Sequence, residues 1–406
     1  MQHLVSLTIS GVKLSGISLK ETQFSPIGTI AMQDLSNWTP RSAPNVDVLE
    51  GRFVRLERLS AARHGDALFA ASTMHDADSR FRWLPELPPA SREAYQPWLD
   101  KAETSTDPLY YAVIDKASGK VAGRQTFLRI DTANGVIEIG HILWSSIMAQ
   151  TPAATEAFYL FAAHVFDDLG YRRFEWKCND RNEPSKRAAK RFAMTCEGTF
   201  RQAAVVKGEN RDTTWFSLLD REWPQAKAAF ETWLAPENFD EEGRQRVALS
   251  ALTARRLEAN GVVLERIGPE HREIVEAIQA QAYARTRDAT GGEPMPLRWD
   301  YASVLAECEA WLAPNSHGLL ILRRAAGYLY LESIATLPAV AASGLGKAMM
   351  QATFDRARAL GLPEIRLMTN ARNPALGWYK RLGFVLDREE NMGGDRIAVH
   401  MVATVA

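Results

Sequence analysis

Hydrophobic and polar residues follow two different periods along this chain, one typical of a helix and one typical of a strand. Between Thr155 and Leu169 the apolar residues recur every three or four positions, which predicts a helix with one buried stripe. The stripe comprises Phe158, Phe161, Ala162, Val165, Phe166 and Leu169. Shortly afterwards Phe174, Trp176 and Cys178 alternate with charged residues, which predicts one face of a strand. We therefore expect these aromatic side chains to pack in a core.

The order of the predicted elements occurs twice. In the second half, the strand GYLYLESIATLP leads through the loop AVAASGLG into the helix KAMMQATFDRARAL. The strand EIRLMTN then precedes a helix that is predicted to begin at Asn373 and Pro374 and to close in YKRLGF. In the first half, the series is GVIEIGHILWS, IMAQTPAA and TEAFYLFAAHVFDDL, followed by the strand YRRFEWKC and a helix from Asn182 that closes in RFAM.

Matching positions of the two series are separated by nearly constant distances along the chain. The pairs are Ala154 and Gly346, 192 residues apart, Gly170 and Gly361, 191 apart, Asn182 and Asn373, 191 apart, and Ala193 and Gly383, 190 apart. A drift of two residues over four landmarks indicates an internal repeat, so the sequence predicts two copies of one domain.

The repeat divides the chain into two domains with additional segments. We expect the domains at residues 51–222 and 261–406, joined by a helical tail and linker at residues 223–260 that begins with a helix from Trp223 to Trp233. Residues 1–50 match neither copy and are expected to form an N-terminal extension, largely disordered at residues 1–31.

Composition excludes several classes of function. The chain has 406 residues, 46% hydrophobic, with a net charge of −1, so it can fill two cores and is not drawn to nucleic acid or to an anionic membrane. Cys178, Cys196 and Cys308 form no CxxC pair, and we expect reduced thiols and no metal site. No apolar run reaches the length of a membrane span, and the N-terminus lacks the regions of a signal peptide, so we expect a cytoplasmic protein.

The stretch VAASGLGKAMM, residues 340–350, resembles the end of a nucleotide-binding P-loop. A P-loop requires a glycine where this chain has Ala341 and a serine or threonine where it has Ala348, so hydrolysis of a nucleoside triphosphate ranks a distant third among the functions considered. A strand that leads through such a loop into a helix still presents backbone N–H groups and the positive end of a helix dipole. The stretch therefore predicts an anion site that needs no metal.

Three stretches carry a resemblance to a known family: residues 338–350, Asn373-Pro374-Ala375 and the closing residues 379–384 (YKRLGF). They resemble the GNAT (GCN5-related N-acetyltransferase) family, and the resemblance covers about residues 261–403. The resemblance implies an α/β (α+β) fold of two domains, each a mixed, mostly antiparallel sheet flanked by helices. It implies acetyl-CoA as co-substrate, with contacts from Ile334, Thr336, Ala341, Ala342, Ser343, Gly344, Leu345, Gly346, Lys347 and Asn373. Ala341 and Ala342 depart from the family pattern, which implies a weakened affinity.

The first copy resembles the branch of the family that includes ribosomal-protein alanine acetyltransferases. The matching residues are Ala154-Thr155-Glu156-Ala157, Asn182, Ser185, Arg187 and Glu197-Gly198. The implied contacts to acetyl-CoA are Gln150, Thr151, Ala153, Ala154, Thr155, Asn182 and Ser185. Pro152 replaces the usual glycine and removes one N–H donor, so the loop either binds with one amide fewer or has lost the cofactor. Proteins of this branch begin much as MQDLSNWTPR does, so translation is expected to start at Met32 as an alternative to Met1.

Transfer of an acetyl group to an amine requires a base for the ammonium, donors for an oxyanion and an acid for the leaving thiolate. The resemblance implies that Tyr379 is the acid, although a tyrosine packed under the closing helix remains an alternative. Glu332 is the candidate base in the second copy, acting through a water, or else an exposed strand residue. In the first copy Glu138 is the weaker candidate base, one pleat from the matching position, and Ala189 replaces the tyrosine. His141 is interpreted as structural.

The acceptor is predicted only by class, a small-molecule or peptide amine. The segment RTRDATGGEPMPLRWDY, residues 285–301, occupies the place where the family forms its acceptor-binding wall. The basic stretch RNEPSKRAAKR, residues 181–191, favours a solvated helix face over contacts with CoA or RNA. Two hypotheses follow: a tandem N-acetyltransferase with a competent second copy, or a chain in which one copy, the first, is a non-catalytic acyl-CoA-binding or scaffolding module. No residue pattern indicates an oligomeric state.

Overall fold

The computed structural model of this chain describes residues 34–284, 286–287, 292–393 and 396–405. The chain divides into two compact units, Met1–Ser36 and Asn37–Ala406. In the first unit, the Ser36 amide donates to Asp34 Oδ1 at 2.9 Å. The predicted disorder of residues 1–31 and the alternative start at Met32 lie outside the described residues.

The first sheet contains eight strands in the order β1-β2-β3-β4-β5-β6-β8-β7. Neighbouring strands are antiparallel except β5 and β6, which are parallel. The strands are β1 (Val48–Glu50), β2 (Val54–Arg58), β3 (Leu109–Asp115), β4 (Lys120–Asp131), β5 (Val136–Trp144), β6 (Arg173–Asn179), β7 (Thr195–Val206) and β8 (Glu209–Leu219). The helices beside it are α1 (Ala61–Ser72), α2 (Ala77–Phe81), α3 (Arg92–Thr104), α4 (Pro152–Ala163, continued by a π-helical turn His164–Asp168) and α5 (Glu183–Arg191).

The second sheet has the same number of strands, in the order β15-β16-β14-β13-β12-β11-β10-β9, and its one parallel pair is β13 with β14. The strands are β9 (Arg256–Ala259), β10 (Val262–Ile267), β11 (Glu309–Leu312), β12 (Gly318–Ala325), β13 (Tyr328–Thr336), β14 (Glu364–Asn370), β15 (Val385–Asn391) and β16 (Ile397–Thr404). The helices are α8 (Arg272–Tyr283), α9 (Tyr301–Glu307), α10 (Leu345–Ala359) and α11 (Leu376–Arg381). Two mixed, mostly antiparallel sheets flanked by helices confirm the predicted fold class.

The parallel pair of each sheet separates part of the way along. In the first sheet the last paired residues are Ile139 and Trp176, and in the second they are Leu331 and Leu367. Each of these strands continues beyond that point without pairing to its parallel neighbour. The opening between them creates a cleft in each copy, at the carboxyl ends of the two strands.

The predicted aromatic stripe of α4 is buried as expected. Phe158 and Phe161 are fully buried, and the ring of Phe161 stacks on Phe127 of the sheet with centroids 3.8 Å apart. Phe158 stacks on Phe192 at 4.5 Å, which attaches the end of α5 to the same layer. Aromatic pairs of this kind add about 0.5–1.5 kcal/mol each beyond the area that they bury.

The segment between the copies packs against both of them. Helix α6 (Trp223–Leu234) is present where the sequence predicts a helix, and a short helix α7 (Leu249–Leu252) follows it. Strand β9 then pairs with β10, so the second sheet begins at Arg256. Apolar residues of both copies and of this segment form one continuous core.

A buried ion pair attaches the segment to the second copy. Arg356 of α10, with a side chain 1% exposed, forms two hydrogen bonds to the Glu309 carboxylate, at 2.8 and 2.6 Å, and also donates to the carbonyl oxygen of Ala251. The guanidinium groups of Arg356 and Arg266 hold the pKa of Glu309 below its usual range against the opposing effect of burial. Glu309 therefore carries its charge inside the protein.

Candidate active site

The loop before α10 has the shape of an anion-binding turn. A 3-10 turn, Pro338–Val340, leads to Ala342 and Gly344, which both adopt left-handed backbone conformations with φ of 66° and 89°. Helix α10 begins immediately afterwards, so the first-turn amides of Leu345, Gly346 and Lys347 have no partner within the helix. The Leu345 amide reaches only the Ser343 hydroxyl at 3.3 Å.

The loop of the first copy repeats part of this backbone. The Met148 amide donates to Ser145 and the Thr151 amide to Met148, as the Val340 amide donates to Leu337 and the Ser343 amide to Val340, 192 residues later. Gln150 has φ of 65°, matching Ala342. Pro152 is the first residue of α4 and stands where the second copy has Gly344. The proline therefore removes one amide, and α4 already begins at this position, whereas in the second copy a left-handed glycine precedes the helix.

The two loops differ in accessibility. In the first turn of α10, Leu345 and Gly346 are partly exposed and Lys347 is exposed, whereas the matching residues Ala153, Ala154 and Thr155 of α4 are only 4%, 5% and 1% exposed. The Thr155 hydroxyl accepts a hydrogen bond from Arg191 Nη1 at 2.8 Å, and Arg191 in turn lies over the ring of Trp233. Side chains of the first copy and of α6 therefore occupy the space beside the first turn of α4.

A cavity of about 480 Å³ opens at the separated strands of the second copy. Four of the predicted site residues line it, namely Glu332, Ile334, Asn373 and Tyr379. Ser343, Gly344, Leu345 and Lys347 line a separate hollow of about 520 Å³ at the start of α10, together with His317 and Asn260. Thr336, Ala341, Ala342 and Gly346 line neither of these two cavities.

Tyr379 lies on α11 and is 9% exposed. Burial, and then the neighbouring Tyr283, raise the pKa of the Tyr379 hydroxyl far above its ordinary value, so it keeps its proton throughout the neutral range. Its ring contacts Trp378 and Phe384 with centroids 5.2 and 5.9 Å away. The side chain is thus both packed under the closing helix and presented to the cavity, so the two interpretations of this residue do not exclude each other.

Glu332 occupies a β-bulge. Ile321 pairs with Ser333 and Leu322 with Leu331, so Glu332 is the extra residue on β13. Bulges of this kind redirect a side chain and are common beside active sites. Its carboxylate pairs with Arg323 Nε at 2.5 Å across the hairpin, and its side chain is 18% exposed.

Asn373 organises the turn before α11 but does not begin the helix. The helix begins at Leu376, so the predicted start at Asn373 and Pro374 was wrong by two or three residues. The Asn373 carbonyl oxygen Oδ1 accepts from the Ala375 amide at 2.9 Å, and Nδ2 donates to the Thr369 hydroxyl at 2.8 Å. These two bonds stabilise a turn that a helical pattern does not reveal.

In the first copy Asn182 caps the helix as predicted. Its side chain accepts from the Ser185 amide at 3.2 Å, and α5 follows directly. Ser185 also accepts a hydrogen bond from Trp176 Nε1 at 2.9 Å. Asn182 and Ser185 both line a cavity of about 660 Å³ at the separated strands β5 and β6.

Glu138 lines the same cavity but does not stand where Glu332 stands. In the parallel pair of the first sheet, Glu138 lies opposite Glu175. The same place in the second sheet holds Tyr330 opposite Arg366, so the counterpart of Glu138 is Tyr330. Its carboxylate lies 2.9 Å from Lys177 Nζ, which also contacts Glu175 at 2.7 Å. Burial raises the pKa of Glu138, although Lys177 opposes the change.

Two other residues distinguish the first copy from the second. Ala189, fully buried, takes the place of Tyr379, since its carbonyl oxygen accepts from the Met194 amide as that of Tyr379 accepts from Phe384. His141 adopts a φ of 46° at a bulge, and burial followed by the charge of Arg124 lowers its pKa. A neutral histidine in this position fits the structural role predicted for it.

The sequence interpretation missed three residues around Tyr379 and Glu332. Tyr283 and Gln279 of α8 contact the Ser333 hydroxyl at 3.3 and 3.0 Å, and Ser333 is the neighbour of Glu332. Arg323, the partner of Glu332, lies on the neighbouring strand opposite Tyr330, and the short turn between β12 and β13 was the signal that would have indicated it. The predicted acceptor wall contributes Met295 and Trp299 to the cavity, apart from residues 285 and 288–291, which lie outside the described residues.

Over the described ranges, no group of three or more histidine, cysteine or acidic residues is arranged to hold a metal ion. Within the same ranges, no helix combines the length and the apolar character needed to cross a membrane. Cys178, Cys196 and Cys308 are free thiols.

Two family models match the chain, one in each half. The family described as "Acetyltransferase (GNAT) domain" matches residues 54–195, and the one described as "Acetyltransferase (GNAT) family" matches residues 295–384. A curated relative, the uncharacterized N-acetyltransferase p20 of Bacillus licheniformis, is 32% identical over 113 residues, which make up 28% of this chain and 63% of the relative. The chain thus spans a little under two thirds of that relative.

Solved structures give a closer relationship. A crystal structure of a GCN5-related N-acetyltransferase from Brucella melitensis is 61% identical, with a TM-score of 0.54, over 54% of this chain and 99% of its own. An acetyltransferase of Salmonella typhimurium that modifies the N-terminal serine of 50S ribosomal subunit protein L7/L12 is 18% identical, with a TM-score of 0.38, over 42% of this chain and 98% of its own. This second similarity is too low to indicate a substrate. The chain belongs to the GNAT acetyltransferase family and carries two domains of that family in tandem.

Proposed function

We propose that the second copy is an acetyl-CoA-dependent N-acetyltransferase that transfers an acetyl group to the primary amine of a small molecule or a peptide. The observation that carries this proposal is the position of Tyr379, a protonated tyrosine in the cavity at the separated strands. The accessible loop before α10 supports it, because amides at a helix N-terminus bind phosphate groups without a metal.

Acetyl-CoA would supply a thioester as the acyl donor. The amides of Leu345, Gly346 and Lys347 would hold its pyrophosphate, since these first-turn amides of α10 have no helical partner. Asn373 would flank the pantetheine arm, and backbone amides of the Ile334–Thr336 stretch would donate to the carbonyl oxygen. The fit is supported by the left-handed Gly344, which permits the loop to turn sharply into the helix.

Two side chains would then move protons. Tyr379 would donate its proton to the departing sulfur, and its raised pKa means that the hydroxyl is protonated in the neutral range. Glu332 would accept the proton of the acceptor ammonium through a water, and its pairing with Arg323 would hold the carboxylate in place. Met295, Trp299 and Met392 line the rest of the cavity and favour an acceptor with an apolar portion.

A second candidate function concerns the first copy, which would act as a non-catalytic acyl-CoA-binding or scaffolding module. Ala189 at the position of Tyr379 favours it, because the alanine offers no proton to a leaving thiolate. The buried first turn of α4 favours it as well. Free thiols at Cys178, Cys196 and Cys308 suit a reducing compartment, and we propose that the chain acts in the cytoplasm.

The test is release of CoA thiol from acetyl-CoA in the presence of a mixed library of primary amines, with the acetylated product identified by mass. We expect amine-dependent thiol release and one or a few acetylated products. Absence of any amine-dependent turnover across small amines and peptides would refute the enzymatic proposal. Hydrolysis of ATP with Mg²⁺, measured in parallel, is expected to be absent.

A further inference from the structure

The cavity of the first copy has a strongly positive lining. Five cationic side chains contribute to it, whereas Glu138 is its one carboxylate among the described residues. The cationic side chains are Arg80, Arg129, Lys177, Arg201 and Arg211. A cavity lined by one sign of charge concentrates ligands of the opposite sign.

Three of these cations already have acidic partners. Arg80 contacts Asp76 Oδ2 at 2.5 Å. Lys177 lies between Glu138 and Glu175, and Arg129 reaches Glu138 at 3.5 Å. Lys177 and Arg129 therefore balance the negative charge of Glu138 within the protein.

Arg201 and Arg211 are the other two cationic side chains of the cavity. In the part of the chain that the structure describes, neither forms an ion pair, and the Nε of Arg211 is buried without a hydrogen-bond partner. The Arg211 side chain lines the cavity beside His141 and Cys178. A buried guanidinium N–H group without a hydrogen-bond partner is unfavourable unless a ligand completes its hydrogen bonds.

The local backbone explains why these two arginines meet at the cavity. Phe200 pairs with Thr213 and Ala204 with Arg211, so β7 carries extra residues between these two pairs, Arg201 among them. Asp212 is the nearest acid in sequence, but its Oδ1 accepts from the Gln202 amide at 2.7 Å and from Asn210 Nδ2 at 2.9 Å. Its carboxylate thus holds the bulge rather than neutralising an arginine.

Other acidic residues of this region also have cationic neighbours. Asp180 accepts from the Thr214 hydroxyl at 2.7 Å and lies near Lys186. Glu209 and Asp78 line a neighbouring hollow with Arg82, Arg181, Lys207 and again Arg211, so positive charge predominates among its described residues as well.

The second copy differs in this respect. Its cavity contains Glu293, Glu307 and Glu332 against Arg323 and Arg396, with methionine and tryptophan side chains between them. Among the described residues, the cavity of the second copy is therefore nearly balanced in charge, whereas the cavity in the matching place of the first copy is strongly positive.

We propose that the cavity of the first copy binds a small ligand that carries a carboxylate or phosphate group, with Arg201 and Arg211 as the residues that recognise the anionic group. A guanidinium offers a planar pair of donors that matches either anion. The proposal concerns binding by the first copy and does not depend on catalysis by the second.

The experiment is calorimetric titration of the full chain with matched amines that differ in the anionic group. Glutamate and glutamine test the carboxylate, and O-phosphoethanolamine and ethanolamine test the phosphate. We expect the anionic member of at least one pair to bind, with an affinity reduced about tenfold or more in Arg211→Gln and in Arg201→Gln, because hydrogen bonds to charged groups contribute about 1.5–3 kcal/mol. Arg187→Gln, an exposed arginine on α5 outside the cavity, makes the same change of charge and should leave the affinity unchanged.

Several outcomes would overturn the proposal. They are equal binding of anionic and neutral amines, an unchanged affinity in both cavity variants, and an equal loss in Arg187→Gln, which would indicate non-specific charge. A loss of acetyl-CoA affinity in Arg211→Gln would assign the arginine to the co-substrate instead. Repeating the titration with Tyr379→Phe separates this result from the proposed function, because binding to the first copy should persist when turnover by the second is impaired.

Discussion

At the scale of single residues, a tyrosine and an alanine distinguish the two copies. Tyr379 and Ala189 occupy the same turn of matching helices, and both are buried. The tyrosine brings a hydroxyl group to the cavity and the alanine leaves only a methyl group. At this position only the second copy therefore has a side chain that can donate a proton to a leaving group.

Glu332 provides the first prediction at this scale. If it removes the proton of the acceptor ammonium, Glu332→Gln lowers kcat/KM at neutral pH by about 10²-fold or more. The loss should shrink as the pH approaches the pKa of the acceptor amine, about 10 for an alkyl ammonium, because the free amine no longer needs a base. Rate profiles of both proteins between neutral and alkaline pH measure the effect. A loss that stays constant over this range would assign Glu332 a positioning role.

At the scale of elements, the two loops share two backbone hydrogen bonds and one left-handed position in spite of different sequences. Gln150 and Ala342 have φ of 65° and 66°, and each precedes a helix by two or three residues. The helix start that follows is exposed in one copy and covered in the other. The loops therefore share their geometry and differ in access.

Gly344 provides the prediction at this scale. Its φ is 89°, and the space that a Cβ would occupy there is open, so Gly344→Ala changes only the cost of the left-handed backbone, about 1–2 kcal/mol. We expect the dissociation constant for acetyl-CoA to rise about 5- to 30-fold, measured by titration of the full chain. Gly361→Ala is the matched control, since Gly361 has φ of 65° at the far end of α10. An equal loss of affinity in the control would show that the loop is not the cause.

At the scale of the whole chain beyond Ser36, the copies and the segment between them share one apolar core. The Arg356–Glu309 pair adds a polar connection, since Arg356 also reaches the carbonyl oxygen of Ala251 in α7. A buried pair of this kind contributes little net stability when intact, but losing one partner leaves an uncompensated charge. Cooperative unfolding of both copies should therefore be sensitive to Arg356.

We predict that Arg356→Ala lowers the free energy of unfolding by about 3–5 kcal/mol, because the carboxylate of Glu309 is left buried without its partner. Arg358→Ala, two residues further along the same helix, removes a side chain that is 45% exposed and should change it by no more than about 1 kcal/mol. Denaturant titration followed by far-ultraviolet circular dichroism measures both. Similar losses in the two variants would contradict a special role for the buried pair.

The sequence predicted the fold well because the repeat and the two hydrophobic periods depend on local pattern. The stripe of α4, the cap at Asn182 and the helix from Trp223 all follow from residues close together in the chain. The start of α11 was wrong, since Asn373 forms a turn through its own side chain and competes with the helix. Side-chain hydrogen bonds of this sort are not visible as periodicity.

Other features of the site depend on strand pairing, which a single sequence specifies poorly. The bulge at Glu332, the pairing of Glu138 with Lys177 and the arrangement of Arg201 and Arg211 all require knowledge of the register. A shift of one residue transfers a side chain to the opposite face of a sheet, so these contacts could not be derived in advance. The burial of Thr155 depends on α6, which is distant in the chain.

The most direct test of the proposed catalysis is the turnover of Tyr379→Phe on whichever amine the library identifies. We predict a fall in kcat of about 10²-fold or more, with an unchanged dissociation constant for acetyl-CoA, because only the proton donor is removed. Tyr283→Phe makes the same chemical change in the same cavity and should retain most of the turnover. Full turnover by Tyr379→Phe, or an equal loss in both variants, would contradict the assignment of Tyr379 as the acid of the second copy.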